Sequence, residues 1–298
     1  MRSSCGAPDT AARVYGVGVC AGHRVVHDPL TGMTHHRDRL VTLGRTVLRP
    51  SEVAAHPVAD PAALGGSWPL LGVRWSPVVR RRPSPACPVN SVHRRTARAL
   101  ACAGLLAVDL YEVEPLPTSD LTDIADHLTD DGCTVTLTTE RCPPERHAAA
   151  LADCVDALRI CVDSEVSRRP GRGPAEWERR FRSLAEGTRA TSAAGLPTQL
   201  YTRVIPPPPG NSATRWLIEL ATAVGAHGVT FARPHGAGPA AVPDLDSWGT
   251  GAPPSCGTLK PLDVPLGTSV CAPAPTAART AGAPVPPRGA APRVTPES

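Results

Sequence analysis

Lysine is almost missing from this chain: of 31 basic residues only Lys260 is lysine. The arginine excess comes with abundant alanine and proline, the pattern that codon usage in a GC-rich genome produces. The clusters Arg80–Arg82 and Arg168–Arg169 are therefore weak evidence for a phosphate-binding groove. The net charge of +4 is modest for 298 residues and gives no reason to expect a nucleic-acid partner. No run approaches 18 consecutive apolar residues, so no membrane partner is expected. The start MRSSCGAPD lacks the apolar segment of a secretory leader, which makes a cytoplasmic location the expectation. Its ten cysteines are then expected to be mainly reduced. There is no G-x-S-x-G elbow, no P-loop and no dinucleotide-binding glycine fingerprint. A zinc constellation is not supported either: His35 and His36 are adjacent rather than spaced along one helical face, and His23 and His27 fall in a segment of no assigned structure.

What is present is an alternation of short apolar runs with longer segments. Runs at 105–110, 133–138, 157–162, 198–205 and 228–232 are strand-length and partly β-branched, and most intervals between them can hold a helix. In 120–128, Leu121, Ile124, Ala125 and Leu128 recur at i, i+3, i+4 and i+7, one apolar stripe of a helix. Ser119 and Asp120 suit its N-cap, and Gly132 suits its stop. Strands alternating with helices predict an α/β fold with a parallel sheet and crossover helices, here a partial (β/α)6 TIM-like barrel whose working loops follow the strands' carboxyl ends.

Three segments follow from this reading. Residues 1–75 form a poorly defined, irregular N-terminal segment with possible strands at Arg13–Cys20 and Leu40–Leu48. Residues 76–236 hold the barrel, with its first strand expected at Val78–Pro83. Residues 237–298 are rich in Pro, Ala, Gly and Thr with little periodicity, and are expected to be a disordered tail.

The stretch Cys87-Pro-Val-Asn-Ser91-Val-His-Arg94 keeps the spacing C-x3-C-x2-C with cysteine at the first position alone. Tyr111-Glu-Val-Glu-Pro-Leu116, Val135-Thr-Leu-Thr-Thr139 and Leu158-Arg-Ile-Cys-Val-Asp163 follow it in order. This series resembles the radical S-adenosylmethionine (radical SAM) enzymes, particularly their peptide- and cofactor-maturing, SPASM-like branch, over about residues 76–236. The resemblance implies a radical SAM barrel, a [4Fe-4S] cluster on three thiolates and S-adenosylmethionine as cofactor. It assigns Cys87 as a cluster ligand and Glu114, Pro115 and Asp163 as cofactor-binding positions; no catalytic residue is identified. The cofactors would supply radical chemistry on a peptide or small molecule.

The same alignment shows damage at the cofactor contacts. Iron-sulfur clusters need soft anionic sulfur. Ser91 offers a neutral hydroxyl, and Arg94 a permanent cation with no lone pair to give. Glu112 and Val113 stand where the family uses two glycines for close backbone approach to the cofactor. The expectation is a degenerate radical SAM protein with its cluster lost or weak. The alternatives are an active enzyme with unusual ligands, to which Cys142 and Cys161 are candidates, or a non-catalytic module that binds a peptide substrate or a partner maturase. Cys256 and Cys271 resemble the start of an auxiliary-cluster extension, but three residues rather than four separate Gly267 from Cys271, and no cysteine follows.

Overall fold

The computed structural model describes residues 12–20, 22–38, 42–59, 71–77, 89–111, 118–162, 174–202, 212–233, 258–261 and 264–270. Six strands, β5 (Gly72–Ser76), β6 (Ala107–Tyr111), β7 (Thr134–Thr139), β8 (Ala157–Cys161), β9 (Thr198–Thr202) and β10 (Gly228–Arg233), lie side by side in chain order, all parallel. Between them run α2 (Val89–Cys102), α3 (Thr118–Asp130), α4 (Glu145–Cys154), α5 (Pro174–Ala193) and α6 (Ser212–Val224). This is a singly wound, barrel-like α/β sheet, and β5 and β10 do not pair with each other.

The two faces of the strands divide the chemistry. Because side chains alternate along a strand, Val73, Trp75, Val108, Leu110, Val135, Leu137, Leu158 and Ile160 share one face and form the main core with Leu100, Ile124, Leu128, Leu151, Leu217 and Leu220 from the helices. The expected apolar stripe of α3 is buried there, with Leu121, Ile124, Ala125 and Leu128 all at most 6% exposed. The helix begins at Thr118, which puts Ser119 and Asp120 inside its first turn rather than at its cap, and Gly132 ends the connection at φ +91°. The alternate residues of the strands are also buried, but they are polar: Arg74, Asp109, Thr136, Thr138, Arg159 and Gln199.

Three expectations are corrected. The N-terminal segment is not irregular. It contains a four-stranded antiparallel sheet, β3-β2-β1-β4, of β1 (Arg13–Cys20), β2 (His23–His27), β3 (Thr34–His36) and β4 (Gly44–Leu48), followed by the one-turn α1 (Pro50–Ala54). Its strands read weakly because most are three to five residues long and carry histidine and arginine. The first barrel strand lies at Gly72–Ser76 rather than 78–83, so the barrel starts inside the segment assigned to the N-terminus; residues 78–83 are outside the described ones. Arg74 interrupts its apolar alternation, which hid it. Finally, the tail is not wholly without structure. Residues Thr258–Pro261 (β11) pair antiparallel with β5, and Val264–Val270 (β12) pair antiparallel with β10. Edge strands tolerate the prolines that argued against any strand there. The rest of 237–298 lies outside the described residues.

Candidate functional site

The polar face of the parallel sheet converges on Asp109. Parallel register sets Arg74 of β5 beside Asp109 of β6. The Arg74 Nε is 3.1 Å from Asp109 Oδ2, and the Arg159 Nη1 approaches the same oxygen at 3.9 Å. Thr138 Oγ1 donates to Asp109 Oδ1 at 2.6 Å. The Arg74 guanidinium also lies 4.4 Å from the centre of the Tyr111 ring, and that of Arg159 lies 5.7 Å from the Tyr201 ring. Next along the sheet, Thr230 Oγ1 donates to Gln199 Oε1. Two arginines, one carboxylate and their hydroxyl and aromatic partners thus occupy positions that would be apolar in a sheet buried on both faces.

The N-terminal sheet closes this space at the amino ends of the strands. Gly16 and Gly18 of β1 lie against Leu106 and Thr134, where any side chain would collide: a Cβ on Gly18 would come within 2.5 Å of the Leu106 side chain. Arg45 of β4 reaches Asp156 at the start of β8, with contacts of 2.5 and 3.3 Å, and Asp156 also accepts from the Val135 N–H at 2.8 Å. The loop 28–33 projects into the floor. Arg159 Nε donates to the Leu30 carbonyl at 2.9 Å, its Nη2 to the Pro29 carbonyl at 2.6 Å, and Thr136 Oγ1 donates to Pro29 at 2.9 Å. Gly32 holds φ +75°, and a Cβ there would sit 3.0 Å from the Arg159 guanidinium, so conformation and space both require glycine.

His27 completes the floor. It is fully enclosed, with Nδ1 3.2 Å from Thr34 Oγ1, and burial, aided by the charge of Arg159 and by His35, pushes its pKa down to about 3. Between this floor and the strands, His27, Gly32, Asp109, Thr136 and Arg159 line a cavity of about 10 Å³, room for a single water. Arg159 is therefore committed to holding the floor, and no ligand larger than water fits beneath Asp109.

The sequence-predicted site residues divide into two groups. Cys87, Glu114, Pro115 and Asp163 are outside the described residues, as are Glu112 and Val113. Ser91 and Arg94 both lie within helix α2, not in a loop. Arg94 Nη2 meets Asp123 Oδ2 of α3 at 2.7 Å, with both side chains roughly half exposed (50% and 42%). It points across the helix layer, away from the strands' polar face. The neighbouring His93 is buried instead, its Nε2 2.5 Å from the Pro77 carbonyl and its ring edge-on to Trp75 at 6.2 Å. Burial lowers its pKa despite the pull of that carbonyl.

The substitute cysteines do not gather. Cys161 lies on the polar face against Tyr201, whereas Cys142 packs beside Gly187 and Thr188 of α5, with its pKa pushed up to about 11 by burial. Cys133 and Cys154 are raised further, to about 12, also by burial, so these thiols stay protonated near neutrality. Among the described residues no three His, Cys, Asp or Glu side chains are placed to hold a metal ion, and His23 and His36 meet only each other, ring centres 5.4 Å apart. Sequence reading missed Arg74, Asp109 and Arg159. The available signal was a charge in the middle of each apolar run, as in Leu158-Arg-Ile, which a buried strand permits only with a partner.

No protein-family model and no curated protein matches the chain. Among solved structures it is similar to a truncated 3-deoxy-D-arabino-heptulosonate 7-phosphate synthase from Thermotoga maritima, at 14% identity over 53% of this chain and 48% of that one, TM-score 0.32. It is similar to a D-psicose 3-epimerase at 10% identity over 54% of this chain and 61% of that one, TM-score 0.34. The likeness to archaeal TYW1 is 13% identity over 54% of this chain and 64% of that one, TM-score 0.33. The chain spans about half to two thirds of the length of these structures. Likeness at this level assigns no activity to this chain. Among the described residues, no helix is long and apolar enough to cross a membrane.

Proposed function

We propose that this chain is a degenerate derivative of the radical SAM scaffold that has lost cluster chemistry and works by binding a peptide or a partner maturase. The observation that carries the reading is the place of Arg94. Its position in the motif is that of the third thiolate, yet the residue is a cation, built into α2 and paired with Asp123 on the outer side of the helix layer. A cluster would need a third sulfur aimed back at Cys87. Ser91, on the same helix, supplies no sulfur either. The described residues do not fit a [4Fe-4S] cluster: only one of the three motif positions is cysteine, and Cys142 and Cys161 lie on opposite faces of the sheet. No catalytic step is therefore derived through a cluster or through S-adenosylmethionine.

The test is iron and acid-labile sulfide analysis of the full chain, purified and reconstituted without oxygen. The expected result is iron well below one cluster per chain, unchanged by Cys87→Ser. Four irons and four sulfides per chain, lost on Cys87→Ser, would contradict the reading.

A further inference from the structure

The cavity beneath Asp109 lies on the seam between the N-terminal sheet and the barrel. His27 and Gly32 line it from the N-terminal side, and Ala107, Asp109, Thr136 and Arg159 from β6, β7 and β8. Apart from Gly32, these residues are at most 6% exposed, so whatever fills the space is shut off from bulk solvent. Its volume of about 10 Å³ suits one water and nothing larger. Size alone does not decide occupancy, because a small apolar cavity stays dry whereas a polar one with two to four partners is filled.

Here the partners are present. His27 directs Nδ1 to Thr34 Oγ1, and its Nε2 has no hydrogen-bond partner among the described residues. Thr136 Oγ1 gives its proton to the Pro29 carbonyl, which leaves its lone pairs to accept. The Asp109 carboxylate accepts from Thr138 and lies against both arginines, and its two oxygens have capacity for a further donor. With the Thr34 hydroxyl donating to Nδ1, the neutral His27 ring carries its proton on Nε2. A water would then accept from Nε2–H and donate to Asp109 and Thr136, the usual number of about three bonds for an internal water. Ions are excluded on charge, since a cation would sit beside Arg159 and an anion beside Asp109.

We propose that this cavity is a binding site for one ordered water, which accepts from His27 Nε2, donates to Asp109 and Thr136, and so joins the N-terminal sheet to the barrel. It leaves only when that sheet lifts from the strands, and its residence time therefore reports the opening of the seam. The proposal is independent of cluster loss, because neither the cavity nor its lining includes a motif residue.

The experiment is oxygen-17 relaxation dispersion on the full chain, which counts waters held for longer than the protein tumbles. Two isosteric variants, Ala107→Thr and Ala107→Val, place a hydroxyl or a methyl on the cavity-lining face of β6. Both are expected to displace the water and lower the dispersion amplitude by one water. The hydroxyl can take over the water's bonds and the methyl cannot, so the threonine variant should melt about 2–4 °C above the valine one. Overfilling strains the two alike and leaves that difference intact. The wild type supplies a measurement that needs no variant to fold: its His27 ring, labelled with nitrogen-15, should carry the proton on Nε2 and show a cross-relaxation peak from that proton to a long-lived water. An unchanged dispersion amplitude in both variants, a valine variant as stable as the threonine one, or a wild-type His27 without the water peak would overturn the proposal.

Discussion

Lowering the pH should weaken the barrel floor through His27 by an amount the structure sets. In the folded chain this imidazole is sealed beside Arg159 and stays neutral down to about pH 3. In the unfolded chain it takes up a proton near its ordinary pKa of 6.5. The unfolded state therefore binds more protons between these limits, and the stabilisation present above pH 6.5 is lost as pH falls toward 3. At pH 5 the loss from this one group is about 2 kcal/mol, whereas at pH 7.5 it is near zero. Urea unfolding of the wild type and of His27→Gln at both pH values isolates the effect, because other groups, including the buried His93, titrate in both proteins. The wild type should lose about 2 kcal/mol more than the variant between pH 7.5 and pH 5. Equal losses in the two proteins would refute the claim that His27 is buried neutral against the Arg159 charge.

The same floor gives two further expectations. Arg159→Met leaves Asp109 with one cation fewer and the Pro29 and Leu30 carbonyls without their donor, and should cost about 3–5 kcal/mol in urea unfolding. Asp156→Ala removes the acceptor of both Arg45 and the buried Val135 N–H, and should cost about 2 kcal/mol, with hydrogen exchange of β4 rising most. At the motif, a Ser91→Cys, Arg94→Cys variant loses the exposed Arg94–Asp123 ion pair, worth less than about 1 kcal/mol. It should raise bound iron, yet cleavage of S-adenosylmethionine should stay weak until Glu112→Gly and Val113→Gly are added; full cleavage by the two-cysteine variant would show that the altered turn is harmless.

Much of the barrel was legible because its strands and helices obey their own periods. The apolar runs at 133–138, 157–162, 198–205 and 228–232 fall on β7, β8, β9 and β10, and the Leu121, Ile124 and Leu128 stripe falls on α3. What escaped was whatever depends on a distant partner. Arg74 broke the first strand's pattern, and only the long-range pairing with Asp109 shows why a charge is tolerated there. Pro261 and Pro265 read as breakers until β5 and β10 supply edges on which a proline can sit. In the N-terminal sheet, β1 and the second half of the expected Leu40–Leu48 strand were visible, but the three residues of β3 were not. At the motif, spacing alone placed Ser91 and Arg94 in a cluster loop. Their position in α2, with Arg94 turned toward Asp123, depends on packing between two helices that spacing does not encode.

Cleavage of S-adenosylmethionine measures the central claim most directly. Full-length chain, reconstituted without oxygen and supplied with dithionite and S-adenosylmethionine, is assayed for 5′-deoxyadenosine over many hours. With a cation and a hydroxyl at two of three ligand positions, product should not exceed that of a Cys87→Ser control. Formation of more than one equivalent per chain, abolished by Cys87→Ser, would show a working cluster and contradict the account.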